Sequence, residues 1–311
     1  MNATSRALLQ MHLCVLIWGF TPILGKLITL PALSLVWWRM ALVSVSLLLF
    51  PQVWRGLRHI SREVALAYAG VGVLVAIHWL AFYASIKLSN ASVAATCLAI
   101  TPVFTAFVEP WFDGRSPRRR DIGLALLAVP GVVLVVGGIP NAMYSGIVVG
   151  AFSSFIVSIF GTWNKRLAGR TDALTAATVQ IGAGAGFLSI ATLASGQASF
   201  LTTWPSATDF GWLLALAWGC TLVPYTLSLV ALRHLSAFTA QLSVNLEPIY
   251  AMALAALLFG EQREVGAAFY AGAALVLLAV FFEPLRGLFR TSVAPAVEQP
   301  DVGGLDGVNR Q

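Results

Sequence analysis

The sequence predicts an all-α integral membrane protein with ten transmembrane helices. They form two inverted five-helix repeats, with both termini cytoplasmic. Three observations predict this. About ten apolar stretches of membrane-spanning length follow one another along almost the whole chain. The Lys and Arg residues of the short connections fall on alternate sides. The third and fourth stretches align with the eighth and ninth at a constant offset of 146 residues.

Composition agrees. Of 311 residues, 58% are apolar and 10% charged, and mean hydropathy is +0.82. A soluble domain of this size has too little interior for that much hydrocarbon. The net charge of +6 is carried by short loops and forms no continuous basic face. The lipid bilayer is therefore the expected partner and nucleic acid is not. Cys14, Cys97 and Cys220 lie far apart inside apolar runs without metal-ligand spacing. They read as small core residues, and no metal or cofactor is expected.

The first span, 7–29, is too long for a signal-peptide core and runs into a second span, so it should stay in the chain. The others are expected at 32–50, 64–87, 90–112, 120–138, 143–166, 172–194, 208–233, 237–259 and 266–285. Continuous apolar runs must satisfy their backbone internally, hence helices. Residues 1–140 and 141–285 form the two repeats, and 286–311, with no helical period from about 291 onward, a disordered cytoplasmic tail.

Orientation follows from the positive-inside rule. With the N-terminus cytoplasmic, one side receives Arg6, Arg55, Arg58, Arg62, Arg115, Arg118, Arg119, Arg120, Lys165, Arg166, Arg170, Arg233, Arg286, Arg290 and Arg310. The other receives Lys87 and Arg263, a bias of 15 to 2, while Lys26 and Arg39 fall within spans. The offset of 146 pairs Trp79 with Tyr225, Lys87 with Arg233, Ala94 with Ala240, Pro102 with Pro248 and Gly114 with Gly260. Repeats with an odd helix count cross the bilayer in opposite senses. Many secondary transporters are built so, with the substrate site near the midplane.

Leu16-Ile17-Trp18-Gly19 followed by Lys26 resembles the start of an EamA-type domain of the drug/metabolite transporter superfamily. Trp38-Arg39-Met40-Ala41 resembles that domain's second helix, and Leu98-Ala99-Ile100-Thr101-Pro102 its fourth. Leu246-Glu247-Pro248 and Leu257-Leu258-Phe259-Gly260-Glu261 resemble the ninth helix and its exit. The resemblance covers the chain to about residue 285 in two copies. It implies a small-molecule transporter, often an exporter of amino acids or related metabolites. The superfamily also carries sugars, nucleotide sugars, phosphorylated metabolites and organic cations. The halves differ chemically: Arg115 stands where the second half has Glu261, Glu109 is the acidic residue of that region, and Gln180 is the counterpart of Arg39.

Polar groups within spans are the candidate site, since a charge at a helix centre costs roughly 2.5–3.5 kcal/mol on insertion scales. Glu247 lies midway along the ninth span, before Pro248, which frees the Val244 carbonyl. It is either a proton-carrying or cation-binding group, or a carboxyl held by an interhelical hydrogen bond. Gln241 and Asn245 share one face of that helix and Glu247 another, so only one stripe points squarely into a cavity. Arg39 and Lys26 either clamp a carboxylate or phosphate, or tie to backbone carbonyls or an acidic neighbour and snorkel to the interface, respectively.

His78, Trp79 and Tyr83 cluster in the third span, and Trp79 matches Tyr225. The two aromatics suit a cavity wall or a stack on a cation, and His78 a proton relay or a simple hydrogen-bonding partner. Ser154, Ser158 and Thr162 form a small-polar stripe ending near Trp163 and Asn164, for close helix packing or ligand contact. Trp18, Pro22 and Gly25 mark a first helix that bends, and Pro102 and Pro248 are further hinge candidates.

No H-E-x-x-H, G-x-S-x-G, P-loop or paired metal-ligand cluster occurs, so no enzyme is expected. The sum is a multi-pass protein of the cytoplasmic (inner) membrane moving a small-molecule substrate by alternating access. Amino acids or similar zwitterions are the expected cargo, with organic cations as a second possibility and a non-transporting scaffold as a third.

Overall fold

In the computed structural model of the protein, every regular element among the described residues is a helix. The structure describes residues 3–291 apart from 115, 118, 195, 197–203, 236–239, 241 and 242. Six helical stretches are long and apolar enough to cross a membrane: Ala3–Leu27, Arg62–Leu88, Ala91–Phe112, Asn141–Leu167, Ala173–Ala194 and Ala207–Ala231. A seventh is the pair Ala32–Leu48 and Pro51–His59, bent by 91° at its break. The chain is thus an all-α, multi-span membrane protein. The fifth, ninth and tenth expected spans contain shorter apolar helices, Ala128–Gly137, Glu247–Phe259 and Ala267–Ala279.

In chain order the α-helices are α1 (Ala3–Trp18), α2 (Thr21–Leu27), α3 (Ala32–Leu48), α4 (Pro51–His59), α5 (Arg62–Leu88), α6 (Ala91–Leu98) and α7 (Thr101–Phe112). They continue as α8 (Arg119–Gly137), α9 (Tyr144–Leu167), α10 (Ala173–Ala194), α11 (Ala207–Leu214), α12 (Val223–Ala231), α13 (Glu247–Phe259) and α14 (Ala267–Thr291). A π-helical segment, Ala215–Leu222, joins α11 to α12. One expectation is corrected: α14 runs to Thr291, six residues into the stretch read as tail. A proline within a helix removes one backbone bond, which membrane helices tolerate, so Pro284 does not end it.

Three spans are broken where a proline opens a new helix. The breaks at Gly19–Phe20, Ala99–Ile100 and Asn245–Leu246 are followed by Pro22, Pro102 and Pro248 in the first turns of α2, α7 and α13. A first-turn proline lacks only an N–H that would have no helical acceptor, so it is well placed to start a helix.

Without a hydrophobic drive between helices in lipid, small residues set how closely they pack. The chief pairings are α5 with α9 and α10, α3 with α10, α7 with α9, α1 with α12, α6 with α13, and α8 with α14. A Cβ on Gly72 of α5 would fall 2.0 Å from the Gln180 carbonyl oxygen of α10, and one on Gly272 of α14 would fall 2.4 Å from the Gly131 carbonyl of α8. Gly260 ends α13 with φ of +70°, the left-handed conformation that glycine adopts without strain. Outside the bundle, Val148, Ile190, Leu257 and Leu278 are exposed, a surface that the bilayer covers.

The two ends of the bundle are tied differently. At the Lys/Arg-poor end, Lys26 pairs with Glu261 at 2.7 Å, Asp209 accepts from the Thr29 backbone N–H and hydroxyl, both at 2.7 Å, and Asn90 donates to Glu264 at 2.9 Å. At the basic end, Lys165 donates to the Leu232 carbonyl at 2.8 Å and to that of Leu235, and Arg166 pairs with Asp113.

Candidate functional site

A cavity of about 170 Å³ lies between helices from both parts of the chain. Arg39 of α3 and Trp79 of α5 line it on one side, and Thr221 of the π segment, Tyr225 of α12 and Glu247 of α13 on the other.

Arg39 is 2% exposed. Its Nε donates to the Thr221 hydroxyl at 2.6 Å and its Nη1 to the Tyr83 hydroxyl at 2.8 Å. The Trp79 ring covers its face, with 3.8 Å from guanidinium carbon to ring centroid. A cation on an aromatic face is attracted by the ring's negative charge density, more so when both are desolvated. Thr221 reaches Arg39 because of the π segment: its hydroxyl donates to the carbonyl of Leu216, five residues back, at 2.7 Å. Among the described residues no hydrogen bond uses Nη2 of Arg39, which leaves donors for a ligand.

Glu247 is 8% exposed and lines the cavity. Among the described residues its carboxyl has no hydrogen bond or ion pair, though the charge of Arg39 acts on it across the cavity. Val244 and Ala240 share its lining stripe. Asn245 does not line the cavity, and both polar atoms of its buried side chain lack a hydrogen-bond partner. Of the two stripes open in the sequence, that of Glu247 faces the cavity. Gln241 lies outside the described residues.

His78 lines the cavity between Phe82 and Phe160. Its Nδ1 lies 2.7 Å from the Ser153 hydroxyl oxygen and 3.3 Å from the Ser153 carbonyl, while the same hydroxyl donates to the His78 carbonyl at 3.1 Å. Two acceptors at Nδ1 assign the proton there and leave Nε2 as acceptor. Tyr225 donates through its hydroxyl to Gln180, whose amide donates to Asn164 at 2.7 Å, and the Trp79 and Tyr225 rings meet edge to face at 6.2 Å.

Trp18, Thr21, Thr101, Ser158 and Thr162 also line the cavity. Tyr83 does not: it is fully buried, holds Arg39, and packs against Gly25, where a Cβ would come within 2.4 Å of its ring. Trp163 packs against Gly70 instead, and Ser154 bonds the Cys97 carbonyl at 2.6 Å. Lys26 is not beside Arg39 but at Glu261, so the two do not form one clamp. The sequence reading omitted Thr221 as an Arg39 partner and the Gln180–Asn164 pair. The first depends on a π turn with no sequence signature. The second was half visible, in the match of Gln180 to Arg39.

A lipid-exposed helical bundle around an enclosed cavity that carries both signs of charge is a membrane transporter. The chain belongs to the EamA-like transporter family, part of the drug/metabolite transporter superfamily, which matches residues 5–137 and again 144–282. No curated protein matches the sequence. A solved crystal structure of a protein superposes with a TM-score of 0.61 over 93% of this chain and 99% of its own, at 16% identity. At that identity the likeness is one of fold.

Proposed function

We propose that the protein is a secondary transporter of the inner membrane that exports amino acids or similar small zwitterions by alternating access and performs no catalysis. The observation that carries this reading is the pair of opposite charges on one cavity wall, Arg39 with Nη2 unused and Glu247 without a bond, flanked by Trp79 and Tyr225. Nη2 suits a carboxylate, Glu247 an ammonium group, and the rings an apolar side chain.

Ten helices in two inverted repeats, 1–140 and 141–285, belong to the same reading, with both termini cytoplasmic and the Lys/Arg-poor end external. What supports it is the exchange symmetry of the packing. Contact of α5 with α9 is mirrored by that of α12 with α1. Contact of α7 with α9 is mirrored by α13 with α1, and α6 meets α13 as its own counterpart. The two charges break this symmetry: Gln180 stands for Arg39 in the second half, and Thr101 stands for Glu247 in the first. Each half therefore contributes one charge. His78, with Nε2 free to accept, and Glu247 are the groups through which a proton would couple to transport.

The test is flux in proteoliposomes. Zwitterionic amino acids should move, while the corresponding amines and carboxylic acids, each lacking one charge, should move at least about tenfold more slowly. Equal flux of amines and amino acids would favour an organic-cation carrier, for which Glu247 and the aromatic walls suffice. No flux of any solute would leave a scaffold.

A further inference from the structure

Glu261, just past Gly260 at the end of α13, is fully buried, yet it does not reach the cavity. Its Oε1 accepts from Lys26 Nζ at 2.7 Å and from the Ala91 backbone N–H at 3.2 Å. Its Oε2 accepts from the Ser92 N–H at 2.9 Å and the Ser92 hydroxyl at 2.7 Å. One carboxylate thus neutralises a lysine and receives the open N–H groups at the start of α6, where negative charge is favoured. Lys26 is also 4.8 Å from the Phe259 ring centroid and 3.8 Å from Glu264.

The cavity lining extends away from this contact. It includes Met11, Thr105, Asn164, Leu232 and Ala240, which lie toward the basic end, and none of Lys26, Asn90, Ser92, Asp209 or Glu261. The Lys/Arg-poor end is crossed instead by bonds joining the two halves, Glu261 to Lys26, Ala91 and Ser92, Glu264 to Asn90, and Asp209 to Thr29.

We propose that Glu261 is the latch of the external gate: its bonds to Lys26 and to the N-terminus of α6 hold the cavity shut on the outside and part when it opens outward. The latch joins the halves at the tips of α2, α6 and α13, each of which begins just beyond a proline break and can tilt from it. This proposal rests on the transport reading, so its test reads conformation rather than flux.

Val157, on the cavity wall, is replaced by cysteine in a chain whose Cys14, Cys97 and Cys220 are serine, and a membrane-impermeant maleimide is applied from outside to right-side-out vesicles. Glu261→Gln and Lys26→Met should each label at least about tenfold faster than the parent chain, as a shift of a two-state population requires. Lys26→Met keeps the Ala91 and Ser92 bonds in place and covers the case in which Glu261→Gln misfolds. Reversing the pair, Lys26→Glu with Glu261→Lys, should leave labelling fast, because an ammonium group cannot accept the α6 N–H bonds. Unchanged labelling in folded Lys26→Met and Glu261→Gln protein overturns the latch. Slow labelling in the reversed pair overturns its seat on α6. Fast labelling in the single variants of a protein that moves no solute keeps the latch and removes the transport reading.

Discussion

The guanidinium of Arg39 lies 3.8 Å from the centre of the Trp79 ring, and the same ring meets Tyr225 of the second half edge to face. Trp79 therefore stands between the only charge that the first half gives the cavity wall and the residue matching Trp79 in the repeat.

Arg39→Lys tests the guanidinium. It keeps the charge but loses the planar fork and the stack. Substrate affinity in proteoliposome uptake should fall about tenfold or more, roughly the 1.4 kcal/mol expected from part of a charge-assisted contact. An unchanged KM would assign Arg39 to structure alone.

Glu247→Gln tests coupling. The amide fills the same space without carrying a proton, so the variant should fold, lose transport driven by a pH gradient, and retain substrate exchange at equal pH. Normal pH-driven transport would remove Glu247 from the coupling role.

Tyr225→Phe tests the polar network of the second half. It strips the donor from Gln180, which is fully buried. A buried acceptor left unpaired costs about 1–3 kcal/mol, read as a lower melting temperature in detergent. Adding Gln180→Leu should recover part of the loss, and a strictly additive double variant would argue against the bond.

Gly72→Ala tests the closest helix crossing. The new methyl would sit 2.0 Å from a backbone oxygen that cannot turn away, so α5 and α10 must separate, at about 1–3 kcal/mol or more. Gly182→Ala, with nothing within 4 Å of its Cβ, is the control and should melt like the parent.

Apolar periodicity revealed the helices because lipid requires each crossing to satisfy its own backbone. It did not reveal that Ala32–Leu48 and Pro51–His59 meet at 91°, since a break in direction leaves composition unchanged. The site was legible where charge is costly. Arg39 and Glu247 stand out in any apolar run, and both reach the cavity. Support was harder to read. Tyr83 looked like a wall and proves to be a brace, because the hydroxyl that would suit a ligand is spent on Arg39. Glu261 looked like a family mark at a helix exit, and its contacts with Lys26 and Ser92, across 235 and 169 residues of chain, are invisible to local pattern.

The π segment Ala215–Leu222 has a consequence for length. A π turn holds one residue more than the α turn it replaces, so deleting Gly219, where a side chain would meet nothing, would let the run rewind as ordinary helix. Everything beyond would rotate by about 100°, carrying Tyr225 off the wall while leaving every other amino acid in the chain unchanged. The chemistry of the second half is thus written partly in spacing, and an indel here would change what the cavity accepts as surely as replacing Tyr225 itself.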